Sequence, residues 1–119
     1  MRLTLAEPNY LKDSVSIISE LVNEASFKIK TNSIELVAMD PANVAMVIFK
    51  LLSSAFTDYK VEKETDIAIN LTNLKQILRR AKSSDSLTLE IEEDKLKLTL
   101  EGGSTRTFYL PIIDLEEKE

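Results

Sequence analysis

At 119 residues, with 44% hydrophobic content, two glycines and three prolines, the chain is sized for one compact domain with a real core and is not a disordered or turn-rich scaffold. It has no cysteine and no histidine, which excludes disulfides, thiolate metal sites and thiol nucleophiles and leaves general-base chemistry to a perturbed carboxylate or lysine. Its net charge is −5, the N-terminus lacks a signal pattern, and no apolar run approaches the ~18 residues of a membrane span, so a soluble, intracellular, non-enzymatic protein is expected.

Residues 2–6 alternate like a short strand. Pro8 suits a first helical position, and the periodicity predicts a helix to about Asn23. On that helix Leu11, Val15, Ile18 and Val22 gather on one face, which Leu21 and Ala25 widen. Lys12, Ser16, Ser19 and Asn23 form a second, nearly neutral stripe, and Asp13, Glu20 and Glu24 an acidic third. Strands are expected at Phe27–Lys30, Ile34–Met39 and Val44–Leu52, separated by a Thr31-Asn32 turn and an Asp40-Pro41 break.

After a loop around Ser53–Asp58 the pattern begins again. A strand at Asp66–Asn70 leads into a helix capped by Thr72 or Asn73 and running to about Lys82. Strands at Leu87–Ile91, Leu96–Leu100 and Thr105–Ile112 follow, with turns at Glu93-Asp94 and Gly102-Gly103. The chain therefore reads βαβββ twice, as pseudo-repeats at about 2–52 and 66–112 within a single domain, 1–119. An α+β fold is expected, with two helices packed on one face of antiparallel sheets.

Charge is segregated along this pattern. Between Leu71 and Ser84 lie Lys75, Arg79, Arg80 and Lys82 and no carboxylate, so all 20 carboxylates are elsewhere. With Leu74, Ile77, Leu78 and Ala81 anchoring the second helix, Lys75, Arg79 and Lys82 share one flank. Arg80 sits on the opposite flank, and Gln76 and Ser83 point away from the sheet. A cationic helix face on an acidic protein can meet a nucleic-acid backbone, or it can be a solvated face favoured by the helix dipole. The neutral stripe on the first helix favours the former.

Other candidates read more simply. Glu90, Glu92, Glu93 and Asp94 have the composition of a metal cluster, but alternation makes them the solvent face and turn of a hairpin. Gly102-Gly103-Ser104-Thr105 leads into a strand and lacks the lysine of a phosphate loop. Asn70-Leu71-Thr72 has the form of a glycosylation sequon and reads as a strand end and helix cap. No catalytic, metal or cofactor site is expected. Met39, Val44 and Met46 flank Asp40-Pro41-Ala42-Asn43, which fits either ordinary strand packing or an exposed apolar pocket.

At that last segment a resemblance becomes specific. Leu36-Val37-Ala38-Met39-Asp40-Pro41-Ala42-Asn43-Val44 is similar to the AMDPSRV-type segment of archaeal and eukaryotic sliding clamps. Asn23-Glu24-Ala25-Ser26-Phe27, Asn70-Leu71-Thr72 with Leu74 to Leu78, and Thr105-Arg106-Thr107-Phe108 through Ile113-Asp114 fall in that family's order and spacing. Essentially the whole chain resembles the N-terminal domain of proliferating cell nuclear antigen, archaeal type.

The resemblance implies a DNA-clamp fold in a two-domain subunit of a closed trimeric ring around duplex DNA, with helices lining the hole and sheets outside. Such a ring tethers DNA polymerase, flap endonuclease and DNA ligase after a clamp loader has placed it. Lys12, Arg79 and Lys82 would face the DNA, with Lys75 and Arg80 at the flanks and Gln76 where clamps often carry a cation. Met39, Asn43, Val44 and Met46 would form part of a client-peptide pocket. Ile77, Thr105, Thr107, Phe108, Tyr109 and Leu110 would lie at the subunit interface, against a C-terminal clamp domain or further copies of the chain.

Residues 113–119 would begin the interdomain connecting loop, and the chain stops where that loop begins. A separately encoded second half, self-association through the last strand or a cloned domain fragment is then expected. The compartment implied is the cytoplasm or nucleoid of an archaeon, or a eukaryotic nucleus. Two rival readings are a clamp-fold adaptor that does not encircle DNA and a carboxylate-dependent nuclease using Asp66, Glu90 and Glu92.

Overall fold

The computed structural model describes residues 2–39, 46–82 and 84–117. Strand β1 (Arg2–Leu5) leads to helix α1 (Asn9–Ser19), then β2 (Glu24–Ile29), β3 (Ser33–Met39), β4 (Met46–Leu52) and β5 (Asp58–Lys60). The same order recurs as β6 (Thr65–Asn70), α2 (Leu71–Leu78), β7 (Ser86–Glu92), β8 (Lys95–Glu101), β9 (Thr105–Pro111) and β10 (Asp114–Glu117).

These strands build two five-stranded antiparallel sheets, ordered β5-β1-β7-β8-β9 and β10-β6-β2-β3-β4. Each repeat thus gives its first strand to the sheet of the other: β1 pairs with β7 from Arg2↔Glu90 to Leu5↔Leu87, and β6 pairs with β2 from Asn70↔Glu24 to Thr65↔Ile29. Replacing each element by its counterpart in the other repeat turns one strand order into the other. The repeat unit is therefore βαββββ, one strand longer than the sequence suggests.

The extra strands are β5 and β10, which lie on the open sides of β1 and β6. β5 is only three residues long, and β10 is mostly charged, so neither carries the apolar alternation that marks a strand. Residues 114–117, expected as the start of a connecting loop, instead pair in register with β6, led in by the Ile113 N–H donating to Ala68 O at 2.8 Å.

Both helices are shorter than their periodicity suggests. α1 stops at Ser19 rather than Asn23 because the β2–β6 ladder claims the chain from Asn23 onward, where the Leu71 N–H donates to Asn23 O at 2.7 Å. Val22 is still buried, but Leu21 is 59% exposed and does not widen the packed face. α2 begins directly where β6 ends. Asn70, not Thr72 or Asn73, is its cap, with Oδ1 accepting the Asn73 N–H at 3.0 Å.

One core joins the inward faces of both sheets and both helices. Alternate residues of the sheets, such as Leu3 and Leu5, Phe27 and Ile29, Ile67 and Ile69, and Leu96, Leu98 and Leu100, meet Leu11, Val15 and Ile18 of α1 and Leu71, Leu74 and Leu78 of α2. The helices pack side by side. Tyr59 of β5 ties the two sheets at one end: its hydroxyl reaches Lys30 O and, at 2.6 Å, Ser33 O in the β2–β3 turn. Burial, with the Glu64 carboxylate adding, pushes this phenol up to about 12.

Because the folded phenol ionises above the ordinary value of about 10 for an unfolded chain, its contribution is intact below pH 10. It is lost as pH rises through the folded value. Tyr59→Phe should therefore be less stable than the parent by about 1 kcal/mol near neutral pH, one hydrogen bond's worth, and the gap should close between pH 10 and 12. Urea melts across that range check this; a gap that stays constant would contradict it.

Candidate functional site

The cationic run folds as a helix end and a tight turn. Leu71, Leu74, Leu78 and Ala81 face the core, which leaves Lys75 half-buried and Arg79, Arg80 and Lys82 exposed. The Arg80 and Ala81 N–H groups donate to Ile77 O and Leu78 O at 3.1 and 3.0 Å, three residues back, so the last turn is tighter than α-helical. Lys82 lies beyond the helix, and this turn, not helical periodicity, sets its position.

Lys12 joins the same cluster from α1. Its Nζ donates to Ala81 O at 3.4 Å, which brings the first half of α1 against the C-terminal end of α2, where a cation is favoured by the helix dipole. Two serines of α1 spend their hydroxyl protons on their own helix: Ser14 Oγ donates to Tyr10 O at 2.8 Å and Ser19 Oγ to Ser16 O at 3.0 Å. Lys12, Arg79 and Lys82 thus share one region beside a neutral stripe.

Asp85, the carboxylate nearest to segment 79–82 along the chain, is only 2% exposed. Its Oδ2 accepts from Arg106 Nη2 at 2.6 Å and from the Lys82 N–H at 2.9 Å, while its own N–H donates to Lys82 O. Arg106 Nη1 donates to Arg80 O at 3.0 Å. Neither Asp85 nor Arg106 was expected at the site. The available signal was the alternation of β9, which puts Arg106 on the face of Phe108 and Leu110, where an inward arginine requires a buried acceptor.

Strand β9 has a partner, β8, on one side only among the described residues. Thr105, Thr107 and Tyr109 are exposed along it and Phe108 is half-buried. Leu110, expected at an interface, is a core residue at 2% exposure and offers only its backbone. Between α2 and β9 runs a groove of about 280 Å³, to which Gln76, Ile77, Arg80, Phe108 and Tyr109 contribute. The Arg80 guanidinium sits over the Phe108 ring at 5.5 Å, so Arg80 and Gln76 border the edge strand rather than the Lys12–Arg79–Lys82 cluster.

The expected apolar pocket is described in part. Met46 is 53% exposed, on the same face of β4 as exposed Ile48 and Leu52, and its backbone pairs with Met39; Asn43 and Val44 lie outside the described residues. Asp66 stands in one sheet and Glu90 and Glu92 in the other, so the fold does not assemble the three carboxylates proposed for a nuclease. No helix among the described residues is long and apolar enough to cross a membrane.

Residues 1–117 match the family described as proliferating cell nuclear antigen, N-terminal domain. A DNA polymerase sliding clamp of Pyrococcus horikoshii is 42% identical over 106 residues, covering 88% of this chain and 43% of the relative. One from Thermococcus fumicolans is 43% identical over 108 residues, covering 90% and 43%. Among solved structures, proliferating cell nuclear antigen (PCNA) from Thermococcus kodakaraensis superposes with a TM-score of 0.89 at 29% identity, covering 95% of this chain and 46% of that one. A PCNA2-PCNA3 complex from Sulfolobus tokodaii gives 0.91 at 27%, covering 100% and 49%. The chain spans about half the length of the relatives it matches.

The geometry around Asp85 makes two adjacent glycines unequal. A Cβ on Gly102 would lie 1.9 Å from Asp85 Oδ1, whereas one on Gly103 would meet nothing within 4 Å, and neither glycine has positive φ. Since Asp85 is held by two hydrogen bonds and cannot swing away cheaply, Gly102→Ala should cost about 3 kcal/mol, comparable to breaking a buried ion pair. Gly103→Ala should stay within about 0.5 kcal/mol of the parent. Denaturant melts of the two variants decide; equal stabilities would show that Asp85 is not pinned.

Proposed function

The chain belongs to the family of the proliferating cell nuclear antigen N-terminal domain, and from that premise we propose that it serves as the N-terminal domain of a DNA polymerase sliding clamp. In this reading it forms an arc of a ring around duplex DNA and acts without catalysing a reaction. The observation that carries the proposal is the clustering of Lys12, Arg79 and Lys82 on the helical side of a chain whose net charge is −5. A protein that held DNA by affinity would be basic overall. One that encircles it needs only a wall that phosphate tolerates, and an acidic exterior discourages unproductive contact.

The open edge of β9 suits the ring as well. A neighbouring strand would extend the sheet there, with the α2–β9 groove receiving side chains beside it. Its source would be a C-terminal clamp domain or another copy of the chain. Met46 on the outer face of β4, with Met39, Asn43 and Val44, would contribute to the pocket for client peptides. DNA polymerase, flap endonuclease, DNA ligase and the clamp loader are the proposed partners.

By itself the chain should bind short linear duplexes no more tightly than about 10⁻⁵ M at physiological salt, within the range of non-specific binding. Arg79→Gln and Lys82→Gln should each lower the log–log salt slope by about one. Fluorescence anisotropy titrations at several salt concentrations read both quantities. Tight, salt-insensitive binding, or slopes that ignore both substitutions, would sink the proposal.

A further inference from the structure

The cationic turn has no stop signal of its own. Helix α2 ends without a glycine in the left-handed conformation, and its last bonds are of the tight three-residue type. An end of that kind frays readily unless something outside holds it. Here charged side chains grip its backbone in succession: Arg106 of β9 takes Arg80 O, Lys12 of α1 takes Ala81 O, and Asp85, three residues on, takes the Lys82 N–H.

Arg106 has a special place among them. It uses one Nη on Arg80 O and the other on Asp85, so a single guanidinium spans the turn and the carboxylate that holds the turn's far end. It also belongs to β9, whose outer edge is open among the described residues. Its Nε is buried without an acceptor among the described residues, so the guanidinium is committed to this geometry at some cost.

We propose that Arg106, acting through Asp85, is the positioning residue for the cationic segment 79–82, and that it makes the placement of Arg79 and Lys82 follow edge strand β9. The inference rests on the reading that this segment meets DNA. It assigns the role to two residues that need not touch DNA themselves. A lysine at 106 would keep the charge but could not bridge Arg80 O and Asp85 with one planar fork.

The test uses Arg106→Lys and, as a second variant should the first fold poorly, Asp85→Asn, which keeps the shape and removes the charge. Native-state hydrogen exchange is read at the Arg79, Arg80 and Ala81 amides, whose own bonds run to Lys75, Ile77 and Leu78 and involve neither mutated side chain. Duplex affinity at low salt is read alongside, with Arg79→Gln as a direct-charge control.

Both variants should speed exchange at those amides at least about tenfold while the β7–β8 amides keep their protection, and Arg106→Lys should weaken duplex binding about threefold or more at unchanged net charge. Unchanged exchange at the three amides in both variants overturns the proposal. So does faster exchange with unchanged affinity, where Arg79→Gln does weaken binding. If Arg79→Gln has no effect either, the DNA reading itself fails, and the exchange data still decide whether Arg106 anchors the turn.

Discussion

The exchange of first strands between the two repeats is the constraint from which the rest of the molecule follows. Neither repeat completes a sheet with its own strands: β1 needs β7, and β6 needs β2. These pairings join parts of the chain far apart in sequence, so each sheet closes only when both halves are present. The exchange also leaves the two helices side by side over a shared core. Lys12 reaches Ala81 across the repeats for that reason, and the cationic cluster exists only in the closed fold.

Electrostatics on the helical side depends on what has been removed as much as on what is present. An acidic protein cannot present a cationic surface if carboxylates stand among the cations. The fold deals with Asp85, the nearest in sequence to segment 79–82, by burying it against Arg106 and the Lys82 N–H. Arg80 is turned toward Phe108 at the edge strand. What remains outward at the end of α2 is Arg79 and Lys82, while on α1 the exposed Asp13 stands beside Lys12 and Ser14 and Ser19 donate their hydroxyl protons to their own helix.

Much of this was legible in the sequence. Alternation of apolar and polar residues marks β2, β7 and β8 as strands, and in β2 and β8 it also marks the buried face, while the two amphipathic helices stand out by period. The family resemblance of Met39-Asp40-Pro41 and the later motifs agrees with the match over residues 1–117. Strands β5 and β10 were not legible, because they are short, polar and defined by the open sides of their neighbours rather than by a core face. The end of α1 is not legible by period, because a ladder bond at Asn23 outcompetes helical continuation. The Asp85–Arg106 pair is not legible because its partners lie far apart in sequence, and only the inward face of β9 hints at it.

In a clamp of this kind the helical side, not the sheet side, should face DNA. Site-specific photocrosslinking to duplex DNA tests it most directly, with the reactive group placed at position 79 in one sample and at position 97 in another. Lys97 is a cation on the outer face of β8, between inward-facing Leu96 and Leu98. Covalent DNA adducts should form from position 79 and essentially none from position 97. Adducts of equal yield from both positions, or from 97 alone, would contradict it.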